Sequence, residues 1–275
     1  MLYFLTVNYY AAPLISKLLQ SLANLTLKHQ VIVVNNSPWD EGIKQLQYPC
    51  LEVIETGANL GFGGACNVGL ELIYARSPQA TVWLINPDAY FDDVAALGEI
   101  LPNLQAYPIV GTYIYDPQGK LIFSGGKFRR WWGVIVEETE AKSELIRATD
   151  WVSGGSMIIN LAHFPICPLF DRSYFLYYED FDFCRRYAPC YICRALQVIH
   201  AKSSLTSQLN QAKVSQEIYS YLLTLARHTP PPVLWYRLCR IILVSLWQIL
   251  RNFPQGHGKL KGVIAFLTHT PLHIV

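Results

Sequence analysis

Over residues 1–100, short apolar runs alternate with stripes of helical period. Leu2 to Val7 reads as a strand, and Leu14, Leu18, Leu19 and Leu22 form a helical stripe. Pro13 opens that stripe, in the first turn where a helix tolerates proline. Val31–Val34 and Leu51–Ile54 predict two more strands. A helix over Gly61–Ala75 is entered through a glycine-rich loop, and a strand over Thr81–Ile85 stops at Asn86-Pro87-Asp88. Strands alternating with helices predict a mostly parallel sheet with crossover helices. Ligands of such sheets sit beyond the carboxyl ends of the strands. That rule singles out Asn8, Tyr9, Asn35, Asn36, Asn59, Asn86 and Asp88. Asn and Asp also make good turns, and for each residue alone the turn reading is the commoner one.

The pattern changes after residue 105. Tyr113 to Phe123 predicts a hairpin around Asp116-Pro117-Gln118-Gly119, and the pairs Gly125-Gly126 and Gly154-Gly155 mark close backbone approach. Glu179 to Arg186 predicts a short charged helix. Past residue 210 the chain is helical, which divides it into a domain over 1–210 and an extension over 211–275. The stretch Val233–Arg251 nearly has transmembrane length, but Arg237, Arg240 and Arg251 argue against spanning. Those arginines share a face with Ser245 and Gln248, leaving Leu, Ile, Val and Trp on the other. Such a helix, carrying Trp235 and Trp247, either lies in a membrane interface or packs on the domain.

Composition narrows the classes. The chain is 52% hydrophobic and only 15% charged, so it is unusually buried or has an apolar place to sit. With 22 basic and 20 acidic residues it lacks the cationic surface that nucleic-acid binding needs. Seven cysteines in a chain of this length are not a disulfide framework. Cys190 and Cys193 lie in a strand-like segment, where a three-residue spacing sends two thiols to opposite faces; buried thiols are favoured over a zinc site. The N-terminal run lacks a basic stretch and reads as a strand, not a leader. The expected setting is cytoplasmic, with contact to the inner face of the cell membrane left open. Arg129-Arg130-Trp131-Trp132, at a hairpin tip, is left open between membrane, acidic acceptor and no partner.

The most specific segment runs from Phe170 to Asp182, where Tyr174-Phe175-Leu176-Tyr177-Tyr178 leads into Glu179-Asp180. Aromatic residues before a carboxylate at a helix start make an apolar pocket edge, where burial raises a carboxyl pKa and produces a competent base. Aromatic rings also stack on the apolar faces of sugars. Val7-Asn8-Tyr9, Val33-Val34-Asn35-Asn36-Ser37, Asn59 to Asn67, Leu84 to Asp88, Trp151 to Gly155, Tyr174 to Asp182, and His200 with Ser203-Ser204 follow in one order. In this order the chain resembles glycosyltransferase family 2, in particular its rhamnosyltransferase-like members.

The resemblance implies a GT-A fold: a nucleotide-binding sheet, a smaller mixed β acceptor region and C-terminal helices. It implies inverting transfer of a sugar, with Asp180 as base and Glu179 beside it. Asn8, Tyr9, Asn36, Asn59, Gly61, Asn67, Asn86 and Asp88 fall where the family holds a nucleotide-sugar, here a dTDP- or UDP-sugar. Trp151, Ser153, Gly154, Gly155 and Tyr178 fall on the side of a saccharide or lipid-linked acceptor. Asp88 and His200 match the site of a divalent metal, Mg²⁺ or Mn²⁺. Two departures stand out: Asn35 and Asn86 occupy positions where the family often carries Asp. Hard cations prefer carboxylate oxygens, so Asn86 weakens the metal site. A catalytically degenerate sugar-nucleotide-binding relative is the alternative. A nucleotidyltransferase would need a glycine-rich loop with a lysine after the first strand, which residues 8–16 lack, and a structural membrane protein leaves the aromatic Glu-Asp run unexplained.

Overall fold

The computed structural model describes residues 1–201, 211–270 and 272. Ser203 and Ser204 lie outside the described residues, and the 210/211 division falls at the edge of that gap. The expected strands form as β1 (Leu2–Asn8), β2 (His29–Asn35), β3 (Leu51–Glu55) and β4 (Thr81–Ile85). They lie in the order β3-β2-β1-β4, all parallel. α1 (Ala12–Ser21) and α2 (Gly61–Arg76) make the crossovers.

Beyond β4 the sheet becomes mixed. β11 (Ser156–Asn160) is antiparallel to β4 and to β6 (Ile109–Tyr115). β12 (Cys190–His200) runs parallel to β6, and β10 (Ile146–Thr149) closes that edge. β5 (Ala89–Tyr90) and β7 (Leu121–Phe123) add short antiparallel pairs. The predicted Tyr113–Phe123 hairpin is the β6–β7 pair. A separate hairpin, β8 (Gly126–Arg129) and β9 (Val134–Glu137), stands off the main sheet.

Alternation along each strand builds a core on both sheet faces. Tyr3, Leu5 and Val7 of β1 face α2 and α4 (Glu179–Tyr187), while Leu2 and Phe4 face α1 and α3 (Leu97–Asn103). The same alternation separates Cys190 from Cys193, which lie buried in the two different cores as free thiols. Burial on both faces accounts for much of the apolar composition.

The extension forms α5 (Gln211–His228), α6 (Pro231–Leu250) and α7 (Gln255–Leu267) around a third core of Leu222, Leu238 and Val263. Gly256, Gly258 and Gly262 let α7 approach the backbones of α6 and α5 where a Cβ would collide. α6 is rotated differently from the wheel read in the sequence. Ser245 is buried against α7, and Leu234, Leu238, Ile241 and Ile242 face the third core. Trp235, Tyr236, Leu243, Leu246, Trp247 and Leu250 are left exposed. α6 therefore packs on the protein and still presents an apolar strip. An 18-residue window of it has a mean hydropathy of 1.5, enough to cross a bilayer by length and composition alone.

Candidate active site

The loops beyond β1 and β2 are tied together by asparagines. Asn8 is buried; its amide donates to Asn35 Oδ1 at 2.8 Å and Asp40 Oδ2 at 2.9 Å, and its Oδ1 accepts from Ala11 N–H at 2.9 Å. Asn35 spends its own amide on Glu55 at 2.8 Å. Asn36 accepts from Leu60 N–H at 2.8 Å and donates to Asn59 at 2.9 Å. These residues tie the loops beyond β1, β2 and β3 into one polar cluster, beside which Tyr9 and Tyr10 stand exposed. Asp40, absent from the sequence expectations, orients Asn8 and caps Gly42 N–H at 3.0 Å.

Gly61 begins α2 at φ +75°, and a Cβ there would collide with the Phe175 carbonyl. Only glycine meets both demands. Asn67 is 1% exposed, and both ends of its amide pair with the Phe170 backbone, at 2.9 and 2.7 Å. Asn67 thereby clasps α2 to the segment leading to Asp180.

That segment delivers two carboxyls by an unusual turn. Tyr177 and Tyr178 both adopt left-handed conformations, φ +71° and +64°, immediately before α4. Adjacent aromatic residues there carry real backbone strain, of the kind concentrated at functional sites. Asp180 Oδ2 accepts from Gly154 N–H at 2.8 Å, and Oδ1 from Phe181 N–H at 2.7 Å. Burial raises the Asp180 carboxyl above its ordinary range, and these hydrogen bonds offset part of the rise. Glu179 lies deeper. Its Oε2 has no hydrogen-bond partner among the described residues. Burial, then the Asp180 charge, pushes its carboxyl up. The two neighbouring carboxyls thus sit in unlike environments, Asp180 held by two backbone N–H groups and Glu179 buried with no partner for Oε2 among the described residues.

Both open on a cavity of about 760 Å³ with Trp151, Ser153 and Tyr178, the residues expected on the acceptor side. Glu137 of β9 and Lys213 and Glu217 of α5 also line it. No local sequence signal marks these three; chain topology alone brings them there.

Gly154-Gly155 joins this cavity to the Asn86-Pro87-Asp88 turn. Gly154 holds Asp180, and the Gly155 carbonyl accepts from Asn86 N–H at 3.0 Å. Two residues on, Asp88 Oδ1 lies 2.9 Å from His200 Nε2, with the Asn86 amide 3.3 Å from the same nitrogen. Ala201 N–H binds the Asp88 carbonyl at 3.0 Å, fixing the end of β12 to this turn. No group of three or more His, Cys, Asp and Glu residues converges as a complete metal cage among the described residues. One carboxylate and one imidazole do converge. A carboxylate oxygen and an imidazole nitrogen are donors of the kind a divalent ion takes, though too few to hold it alone.

Behind α4 lies a network the sequence did not announce. Asp182 is 1% exposed; Oδ2 accepts from Arg186 Nε at 2.7 Å and Oδ1 from His228 Nε2 at 2.9 Å. Arg227 bridges to Asp171 at 2.8 Å. Burial alone would raise the Asp182 carboxyl, but the bonds from His228 and Arg186 outweigh it and hold it below its ordinary value.

With this geometry described, the comparisons with known proteins decide the family. The profile of glycosyl transferase family 2 matches residues 4–159, more than half of the chain. The chain belongs to that family.

Similar curated proteins agree. An N-acetylglucosaminyl-diphospho-decaprenol L-rhamnosyltransferase of Mycobacterium tuberculosis is 26% identical over 238 residues, covering 74% of this chain and 76% of that protein. The low-salt glycan biosynthesis hexosyltransferase Agl10 of Haloferax volcanii is 24% identical, covering 94% and 89%. Rhamnosyltransferase WbbL of Escherichia coli K12 is 26% identical, covering 68% and 76%. Among solved structures, GalNAc-T7 with UDP, GalNAc and Mn²⁺ superposes with a TM-score of 0.64 at 12% identity; it covers 99% of this chain, which spans 58% of that one. The mannosyltransferase PcManGT of Pyrobaculum calidifontis, in complex with GDP-Man and Mn²⁺, gives 0.57 at 13% identity, covering 97% and 86%. The fold is GT-A, and the protein is a glycosyltransferase of family 2 with rhamnosyltransferase-like relatives.

Proposed function

We propose that the protein is an inverting hexosyltransferase that moves a sugar, rhamnose foremost, from a dTDP- or UDP-linked donor to a saccharide or lipid-linked acceptor. The product belongs to a cell-surface polysaccharide or glycolipid, and the enzyme works at the inner face of the cell membrane. Residues 1–210 form the catalytic domain and 211–275 a helical extension. The observation that carries this reading is the Gly154-Gly155 hinge between Asp180 and Asn86, which joins a carboxylate facing a sugar-sized cavity to the Asn86-Pro87-Asp88 turn.

Asp180 takes the proton of the acceptor hydroxyl as that oxygen bonds to the anomeric carbon, and the bond from that carbon to the nucleoside diphosphate breaks. Gly154 N–H keeps the carboxylate aimed at the cavity. Glu179, holding its proton, prevents a second negative charge beneath the base. Asn36, Asn59 and the Gly61 turn shape the nucleotide end, and Tyr9 flanks its mouth. Asp88 and His200 would hold Mg²⁺ or Mn²⁺, which when bound offsets the charge on the diphosphate.

The test is transfer and hydrolysis of dTDP-rhamnose and a panel of UDP-sugars by the full chain, with Mn²⁺, Mg²⁺ or chelator, beside Asp180→Asn. The wild type is expected to consume one donor preferentially, and Asp180→Asn to lose at least about 100-fold in kcat. Equal slow turnover of every donor by both proteins would end the assignment.

A further inference from the structure

The β8–β9 hairpin and α6, far apart in sequence, are fastened into one surface. Arg237 of α6 donates to the Trp132 carbonyl from Nε at 2.9 Å, and Tyr221 of α5 donates to the Gly133 carbonyl at 2.8 Å. Gly133, at φ +56°, lies against Val233, Leu225 and Arg237 with no room for a Cβ. This fixed tip holds Trp131 and Trp132 out at 73% and 72% exposure. Beside them runs the exposed strip of α6, ending at Leu250, which is 82% exposed. Arg251 lies over the Trp247 ring, 5.7 Å from its centroid.

Charge follows the same face. Residues 211–275 hold seven Lys and Arg against one carboxylate, Glu217, whereas residues 1–210 hold 15 against 19. Three of the seven, Arg237, Arg240 and Lys259, converge around a 180 Å³ depression between α5, α6 and α7, floored by Ile218 and Ile241. An apolar floor ringed by cations, next to exposed tryptophans, matches an interfacial binding surface. β9, which leads away from the tip, also lines the 760 Å³ cavity through Ile135, Val136 and Glu137.

We propose that the Trp131-Trp132 tip and the outer face of α6 form one docking surface for an anionic phospholipid bilayer, with headgroup phosphates seated among Arg237, Arg240 and Lys259. It deepens the membrane placement above and rests on it. The sequence offered α6 and the tip as separate fragments; their fastening, the cation pocket and the link to the cavity come from the structure. The surface sets the cavity beside Asp180 a short hairpin's length from the lipid.

The experiment is co-sedimentation of the full chain with phosphatidylglycerol-containing vesicles and with pure phosphatidylcholine vesicles, over a salt series. Wild type should bind the anionic vesicles and release them as salt rises. Arg240→Gln/Lys259→Gln should weaken binding about 25-fold, about fivefold per cation. Trp131→Ser/Trp132→Ser, exposed changes that leave the circular dichroism spectrum intact, should weaken it about 10-fold or more. Equal binding to neutral vesicles, or tip variants that bind like wild type, would overturn the proposal. Asp180→Asn separates the two readings: it should sediment as wild type while losing turnover. A wild type that turns over donor yet fails to sediment with the anionic vesicles removes the docking surface and leaves the catalytic assignment standing.

Discussion

Asp182→Asn tests whether α4 is held in place from behind by the C-terminal extension. The wild-type carboxylate is 1% exposed and accepts two charge-assisted hydrogen bonds, from Arg186 at 2.7 Å and His228 at 2.9 Å. Such bonds contribute about 1.5–3 kcal/mol each. The amide keeps one acceptor oxygen and turns an N–H toward the other donor, so one bond is lost outright and the charge is lost from both. Arg186 retains access to water, which puts the expected loss near 2–3 kcal/mol instead of the 3–5 kcal/mol of a fully buried broken pair. Urea unfolding at pH 7.5, followed by tryptophan fluorescence, reads that loss, and donor turnover should fall with it because Asp180 sits two residues away. The pH dependence has a fixed sign. The Asp182 carboxyl is held below its ordinary value, so its contribution is present above about pH 4 and is lost as pH falls through the depressed folded value. The stability gap between wild type and variant must therefore close toward acid pH. A loss under about 1 kcal/mol at pH 7.5, or a gap that persists unchanged into acid, would refute the clamp.

Gly61→Ala should cost about 2 kcal/mol or more in urea unfolding and depress donor affinity, because a positive φ and the Phe175 carbonyl both oppose a Cβ. Asn67→Ala, which releases two buried backbone bonds to Phe170, should lose about 2–3 kcal/mol while leaving donor affinity nearly unchanged; a selective rise in donor KM would instead give Asn67 a direct part in holding the nucleotide. For Glu179 the sign is opposite to that of Asp182. Its folded pKa is raised, so its stabilising contribution is complete in acid and is lost as pH rises from about 4.5 through the folded value. Glu179→Gln should flatten that decline, and denaturation midpoints across pH 5–9 that run parallel for both proteins would rule the neutral carboxyl out.

The parts of this fold legible in the sequence are those whose signal is local. β1, β2 and β4 are apolar runs bounded by Asn, and a strand buried on both faces needs nothing else to be seen. Tyr174 to Asp180 is contiguous, so the carboxylate pair at the cavity is legible too. The tip of the β8–β9 hairpin is legible at Arg129–Trp132, but its strands are not, because Lys127, Arg129 and Glu137 dilute the alternation and its packing partners are α4 and α6. Asp182 shows its carboxylate in the sequence but not its role, since His228 lies 46 residues further on. The α6 wheel failed for a related reason. Ser245 reads as a solvent residue until Gly256 of α7 is packed against it. Polar residues resolve their direction only when a distant backbone supplies the partner.

His228 is where these long-range partners meet. Its imidazole binds Asp182 on α4, while its carbonyl accepts from Arg130 Nε of the hairpin tip at 3.2 Å. The same hairpin rests on α4 directly, Phe128 packing edge-on to Phe181 at 4.9 Å. The helix carrying Asp180, the hairpin lining the cavity and the helices of the extension therefore form a closed loop of contacts, in which a tilt of one member disturbs contacts of the others. A rigid frame of that kind keeps the carboxylate and the acceptor hydroxyl in register, and small misplacements at such a distance cost rate steeply. On the proposed mechanism it also ties the extension to the placement of Asp180. Loosening α5 at His228 should lower kcat more than it raises donor KM, whereas a change at the nucleotide rim, such as Tyr9→Ala, should do the reverse.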